Sequence, residues 1–262
     1  MNLSKLKLVT FDVTGTLLRL RTVPGQQYGE IGAMYGVVAD NNALNKSFKE
    51  QFIRMSNEHP NFGLATGLGW ENWWTTVAKE TFKSSKLPFD DDKLDKVASH
   101  LLEMYKTSAC WQHCYGIPAL LSYIQSKNIP MGVVSNFDPR IHTILTNMKL
   151  KDYFKFVISS YEVGVLKPNK EIFDLALEKS EENQIKPEEC LHIGDKASLD
   201  YQGAKQWGWN AYLISDKNLT SLQAKYDFID PNHVFGSAYQ LHIGLMKNSG
   251  DSLPTPEQEI PT

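Results

Sequence analysis

The chain has 262 residues, 42% of them hydrophobic, with 27 Lys and Arg against 30 Asp and Glu for a net charge of −3. That length suits one large α/β domain or a core plus a smaller module, and the apolar content excludes global disorder. The near balance of charge offers no positive field for nucleic acid or an anionic membrane, so neither is expected as a partner.

No apolar run approaches the roughly 20 residues that a membrane span requires. The start, Met1-Asn2-Leu3-Ser4-Lys5, lacks the apolar stretch of a signal peptide. Three cysteines, Cys110, Cys114 and Cys190, cannot build a disulfide framework. A cytoplasmic location is the expectation.

In chain order, the first predicted strand is the apolar run 6–11, which delivers Asp12 into the turn Val13-Thr14-Gly15-Thr16. Between about Leu18 and Trp111 strand patterning stops and helical periodicity takes over. Phe48, Phe52 and Met55 mark one helix, Trp70, Trp73, Trp74, Val77 and Thr81 a second, and Leu94, Val97, Leu101, Leu102 and Tyr105 a third. Asp90-Asp91-Asp92 reads as the N-terminus of the third, where acids suit the helix dipole. A loop with three glycines and a proline, residues 59–69, separates the first two.

Further strands are predicted at 131–135, 156–159, 191–193 and 211–214, with helices marked by Ile117, Leu120, Leu121 and Ile124, by Ile141, Ile144 and Leu145, and by Ile172, Phe173, Ala176 and Leu177. Continuous apolar strands fit a parallel sheet buried on both faces, and their alternation with helices argues for a doubly wound, Rossmann-like α/β fold. Residues 248–262 are polar and rich in Pro and Ser, and disorder is expected there.

Four short motifs follow predicted strands, where open α/β sheets place their ligands. They are Asp12-Val13-Thr14-Gly15-Thr16, Ser135-Asn136, Lys167-Pro168 in the loop before a helix predicted over 170–180, and Gly194-Asp195 with Asp200 five residues on. A lone Asp after a strand, or Lys-Pro before a helix, is ordinary capping chemistry. Their joint order is not. Nucleophile, hydroxyl and amide, ammonium and paired carboxylates in this sequence resemble the haloacid-dehalogenase-like hydrolase superfamily over roughly residues 6–215. Asn61-Phe62-Gly63-Leu64, Trp73-Trp74, Val134-Ser135-Asn136-Phe137-Asp138 and Asp200-Tyr201-Gln202-Gly203-Ala204 are similar to a narrower animal subgroup, which carries no substrate over.

The resemblance implies a core of residues 1–18 plus 113–247 and an inserted all-helical cap, 19–112, closing over the site. It implies an Mg²⁺-dependent phosphatase acting on a small phosphorylated metabolite through an aspartyl-phosphate. Asp12 would be the nucleophile. The metal would be held by Asp12, the Thr14 backbone carbonyl and Asp195, with Asp200 a ligand or a support for Lys167. Lys167 would supply fixed positive charge, and Ser135, Asn136 and the Gly15 and Thr16 amides would cradle the phosphate. Asp200 is equally readable as a cap of the following helix.

Position 14 departs from the family pattern, in which an Asp two residues after the nucleophile serves as general acid and base. Thr14 has no acid or base function near neutrality, a loss that typically costs about 10²–10⁴ in rate. Three readings stay open. The chain is a slow phosphatase suited to a good leaving group, or it keeps a long-lived aspartyl-phosphate, or it has become a phosphometabolite-binding or regulatory protein. A dehalogenase is disfavoured, because that branch works without metal and Gly194-Asp195 preserves the metal motif.

Other chemistry-bearing residues read more simply. Trp70, Trp73 and Trp74 at helical spacing are expected to pack the insert rather than stack a substrate. The loop 59–69 is the better candidate for substrate selection. Arg19 and Arg21 could meet a phosphate or solvate the linker. Cys110, His113 and Cys114 lack a fourth ligand for a closed zinc site. Residues 19–110 carry 11 basic and 11 acidic residues, which favours a small monophosphate over a polyanion.

Overall fold

A computed structural model of the chain describes residues 3–84, 90–181 and 185–253. The first half runs β1 (Leu8–Phe11), β2 (Leu18–Leu20), α1 (Pro24–Met34), α2 (Asn41–Glu58), α3 (Trp70–Lys83), α4 (Asp91–Met104), β3 (Trp111–His113) and α5 (Ile117–Ser126). It continues with β4 (Met131–Ser135), α6 (Arg140–Asn147), β5 (Phe156–Ser159), α7 (Ser160–Val163), α8 (Lys170–Lys179), β6 (Cys190–Gly194), α9 (Gly203–Gln206), β7 (Asn210–Ile214), α10 (Leu219–Lys225), β8 (Val234–Phe235) and α11 (Ala238–Ser249).

Six strands form one parallel sheet in the order β5-β4-β1-β6-β7-β8. Every residue of β1, β4 and β6 is buried, as strands covered on both faces must be. The pleat sorts their side chains into two cores. Val9, Phe11, Val133 and Ile193 pack with α5, α6 and α11 on one face. Leu8, Val134, Cys190 and Leu213 pack with α8 and α9 on the other. From β1 the chain moves outward through β4 and β5, then returns to the far side of β1 through β6. That reversal is the switch point where such sheets open a crevice.

Among the described residues, four helices, α1 to α4, stand between β2 and β3, and these two strands pair antiparallel with Leu18 opposite His113 and Leu20 opposite Trp111. The helices bury their own apolar cluster around Tyr28, Leu44, Phe82, Leu94 and Leu101. Asp90 caps α4 by accepting from the Asp92 amide at 3.0 Å.

Three sequence expectations need correction. The short β2–β3 pair borders a stretch read as at least three helices without a strand pattern, α1 adds a helix to the three marked there, and β8 extends the sheet by one edge strand. The first strand starts at Leu8 because Leu3–Lys5 form a 3₁₀ turn closed by the Leu6 amide on the Leu3 carbonyl. The polar tail starts later than Asn248: Asn248 and Ser249 complete α11, and Asp251 meets Lys127 at 2.7 Å and the Tyr123 hydroxyl at 2.5 Å. Residues 254–262 lie outside the described residues. Among the described residues no helix is long and apolar enough to cross a membrane.

Candidate active site

β1 ends by donating the Asp12 amide to the Ile193 carbonyl of β6, which fixes Asp12 beside the exit of that strand. The chain then turns sharply, with the Val13 carbonyl accepting from Thr16, Leu17 and Leu18. Gly15 adopts φ +89° in this turn, and a Cβ there would lie 2.5 Å from Asp195 Oδ2. Glycine is required both by the backbone and by the approach of the second carboxylate.

The Asp12 carboxylate is held on one oxygen. Its Oδ1 accepts from Ser135 Oγ at the end of β4 and from Lys167 Nζ, both at 2.8 Å. Lys167 is buried and also donates to the Val134 carbonyl at 2.7 Å and to Asp200 Oδ1 at 2.6 Å. Burial works against its charge, but Asp12 and Asp200 outweigh that and raise its pKa above the usual lysine range. The ammonium thus stays charged between two carboxylates.

Asp200 lies on a π-helical turn, Ala197–Gln202. Such turns are frequent at functional sites. This one brings Asp200 Oδ1 to Lys167 and to His192 Nε2 at 3.1 Å, and Asp200 Oδ2 to the Lys196 amide at 2.8 Å. Burial alone would raise its pKa, and Lys167 and then His192 outweigh that, holding the carboxyl well below its usual range. Both oxygens are therefore engaged by protein groups, which favours the supporting role for Asp200 over direct ligation.

His192 sits opposite Thr10 in the β1–β6 register, and its Nδ1 lies 2.8 Å from Thr10 Oγ1. Burial, then the Lys167 charge, lower its pKa. A neutral ring that donates from Nε2 to Asp200 and accepts from Thr10 satisfies every partner. The resulting buried chain runs Thr10, His192, Asp200, Lys167, Asp12. Sequence reasoning missed His192, whose only signal was a polar residue inside an otherwise apolar strand.

Asp195 follows β6. Its Oδ2 pairs with Lys196 Nζ at 2.5 Å, while Oδ1 is buried without a hydrogen-bond partner. Burial pushes its carboxyl up to about 6, against the pull of Lys196. Carboxylate oxygens of Asp12, Asp195 and Asp200 lie within 4.8 Å of one another. An unpartnered buried oxygen inside a triangle of carboxylates fits a divalent cation, because a cation would relieve both the desolvation and the mutual repulsion.

Asn136 does something other than offer an amide. Its Oδ1 accepts from the Lys167 amide at 2.7 Å and its Nδ2 donates to the Lys167 carbonyl at 3.1 Å, a two-point clamp on the backbone that carries the ammonium. The Gly15 and Thr16 amides are not free for a phosphate. Gly15 donates to the Leu18 carbonyl at 2.7 Å, Thr16 to Val13 at 3.3 Å, and the Thr16 side chain is fully buried. A turn this tight consumes its own donors.

Thr14 is exposed at the wall of a cavity of about 470 Å³ that also contains Asp12, Ser135, Asn136, Lys167 and Asp200. Most of the remaining wall is apolar and comes from the helical insert. The tryptophans divide. Trp73 is buried, with Nε1 donating to the Met55 and His59 carbonyls. Trp74 packs against Trp73 and Phe62 as expected, and it also lines the cavity and donates to Asp138 Oδ2 at 2.8 Å. Trp70 and Trp74 flank the Arg140 guanidinium at 5.3 and 4.9 Å. The loop 59–69 reaches the sheet core through Asn61, which exchanges hydrogen bonds with Ser160, and puts Phe62 on the cavity wall.

Arg21 is tied to the Ser108 carbonyl at 3.1 Å, whereas Arg19 lines a second cleft with Asp195 and Lys196. Cys110 Sγ and His113 Nε2 each meet a backbone carbonyl, of Met104 and of Met148.

The sequence profile of haloacid dehalogenase-like hydrolases matches residues 6–208. The chain belongs to that family. It is 47% identical to the rhythmically expressed gene 2 protein of Drosophila melanogaster over 248 residues, 92% of this chain and 95% of that protein. Its fold matches a 2-haloacid dehalogenase from Pseudomonas syringae pv. Tomato DC3000, at 22% identity and a TM-score of 0.61 over 92% of this chain and 99% of that one. It also matches a HAD phosphatase from Thermococcus onnurineus, at 22% identity and a TM-score of 0.56 over 92% and 98%. One fold serves a dehalogenase and a phosphatase, so the haloacid-dehalogenase-like fold leaves the choice of chemistry to the residues at the site.

Proposed function

We propose that this family member is a magnesium-dependent phosphatase of a small phosphomonoester, with Asp12 as nucleophile and residues 19–112 as a cap over the site. The observation that carries the reading is the unpartnered Asp195 oxygen beside Asp12, next to a lysine held charged by two carboxylates. Hydrolysis of a carbon–halogen bond leaves that acidic cluster without a task.

Bound by Asp12, the Thr14 carbonyl and Asp195, the cation would supply the charge that lets an anionic phosphate approach a carboxylate. Ser135 and Lys167 orient the Asp12 carboxylate for attack. An Asp12 oxygen bonds to phosphorus as the ester P–O bond breaks, and the alkoxide or phenoxide leaves. Water then attacks the same phosphorus and releases inorganic phosphate with the carboxylate restored. Lys167 stabilises charge on the transferring group, Asn136 and Asp200 hold Lys167, and His192 braces Asp200.

Thr14 gives the leaving group no proton, so leaving groups that depart as stable anions are favoured. The same residue supports the rival reading, a catalytically weak phosphometabolite-binding protein. Purified protein assayed on an aryl phosphate with Mg²⁺ separates the two. Turnover that disappears in Asp12→Asn is expected; turnover indifferent to that substitution removes Asp12 as nucleophile, and none in the wild type favours binding.

A further inference from the structure

The cavity that holds Asp12 is far more apolar than a phosphate needs. Phe48, Phe52, Phe62 and Trp74 supply aromatic wall from the insert, and Trp111 and Phe137 supply it from the core side. Phe62 is held at φ 55° and ψ 35°. A bulky residue in this left-handed region carries backbone strain, and such strain persists where surrounding contacts over-determine it, commonly at ligand sites. Here it directs a ring onto the cavity wall.

Polar groups also reach this cavity away from the carboxylates. Tyr28 lines it and is 3% exposed. Tyr105 lines it too, and its hydroxyl is buried with no hydrogen-bond partner. Arg140 joins them on the wall. Its Nε and Nη2 are spent on Asp138 at 2.8 and 2.7 Å, and Asp138 is filled by these, by the Arg140 amide and by Trp74. The guanidinium charge is therefore already neutralised by a buried partner. What remains is two phenol donors in a neutral, aromatic surround. The unpaired, buried Tyr105 hydroxyl is costly, and a ligand acceptor would remove that cost.

We propose that the substrate is a phosphate ester with a flat aromatic body that bears a neutral hydrogen-bond acceptor, such as a carbonyl, read by Tyr28 and Tyr105. This deepens the phosphatase reading and rests on it for the phosphate end alone. A second anionic group is disfavoured, because Asp138 has cancelled the nearby cation. Both phenols are pushed upward by burial, so they remain donors at neutral pH.

Non-hydrolysable phosphonates test this without involving a leaving group. In calorimetry with Mg²⁺, benzylphosphonate is expected to bind at least about tenfold tighter than methylphosphonate. 4-Acetylbenzylphosphonate should gain a further factor of roughly two to ten from the acceptor. Tyr105→Phe deletes one unpartnered oxygen, and its fold is checked by circular dichroism; the preference for the acetyl compound should fall toward unity in it. Equal binding of methyl and benzyl compounds, with aryl phosphate still turned over through Asp12, overturns the aromatic inference and spares the phosphatase. No acetyl preference, or one unchanged by both Tyr105→Phe and Tyr28→Phe, overturns the acceptor. No phosphonate binding and no turnover overturns both.

Discussion

At position 14 a threonine side chain stands exposed on the cavity wall two residues beyond Asp12, where proton transfer to a leaving group would take place. Thr14→Asp puts a carboxylate there and should raise turnover by about 10²–10⁴ if only the acid and base are missing. The gain should be larger for an alkyl than for an aryl phosphate, since the alkoxide needs the proton more; equal rates before and after would place the defect elsewhere. Asp12, Ser135, Lys167, Asp195 and Asp200 were legible in sequence because each lies at or beyond the C-terminal end of a strand, and a parallel sheet brings such positions to one edge. The duties of Asn136 and His192 were not legible. Their partners lie 31 residues away, at Lys167, and 182 residues away, at Thr10. No local pattern encodes such pairings.

Among the elements, α1 shows a weak apolar period because Gly25, Gly29 and Gly32 share its buried face with Tyr28 and Ile31. A Cβ at Gly25 or Gly29 would collide with Asn41 of α2, and one at Gly32 with the Val37 carbonyl and the Phe82 ring, so these glycines serve close packing. Strands of two or three residues, such as β2, β3 and β8, are too short to show alternation. The last helix carries a testable charge. His242 on α11 is 8% exposed against the Tyr123 ring of α5, and its Nδ1 has no partner. Burial lowers its pKa. As pH falls below the unfolded value of about 6.5, the unfolded chain takes the proton first. His242 thus supports stability above that pH, and the support is lost as pH falls toward its folded pKa. His242→Phe should flatten the decline of Tm between pH 6.5 and 5; an unchanged slope would mean that this ring does not govern it.

For the molecule as a whole, the carboxylate triangle predicts coupling between cation and fold. A cation that binds the folded state alone stabilises it by about 2.7 kcal/mol at one hundred times its Kd. Thermal melts of the wild type should therefore rise with Mg²⁺ concentration. Asp195→Asn should abolish that rise and, in metal-free buffer, match or exceed the wild type, since it removes a buried charge. A persistent rise in the variant would move the cation away from Asp195. The sequence by itself determined the doubly wound sheet, the helical insert and the line of reactive groups, because hydrophobic period and residue order are local and survive being read one residue at a time. Only the tertiary structure decided what surrounds those groups. It spent the Gly15 and Thr16 amides inside their own turn, gave both Asp200 oxygens to protein partners, left an Asp195 oxygen bare, and turned Trp74 and Phe62 onto the wall of one cavity. Such contacts join side chains far apart in the chain, so their geometry exists only once sheet and insert have packed together.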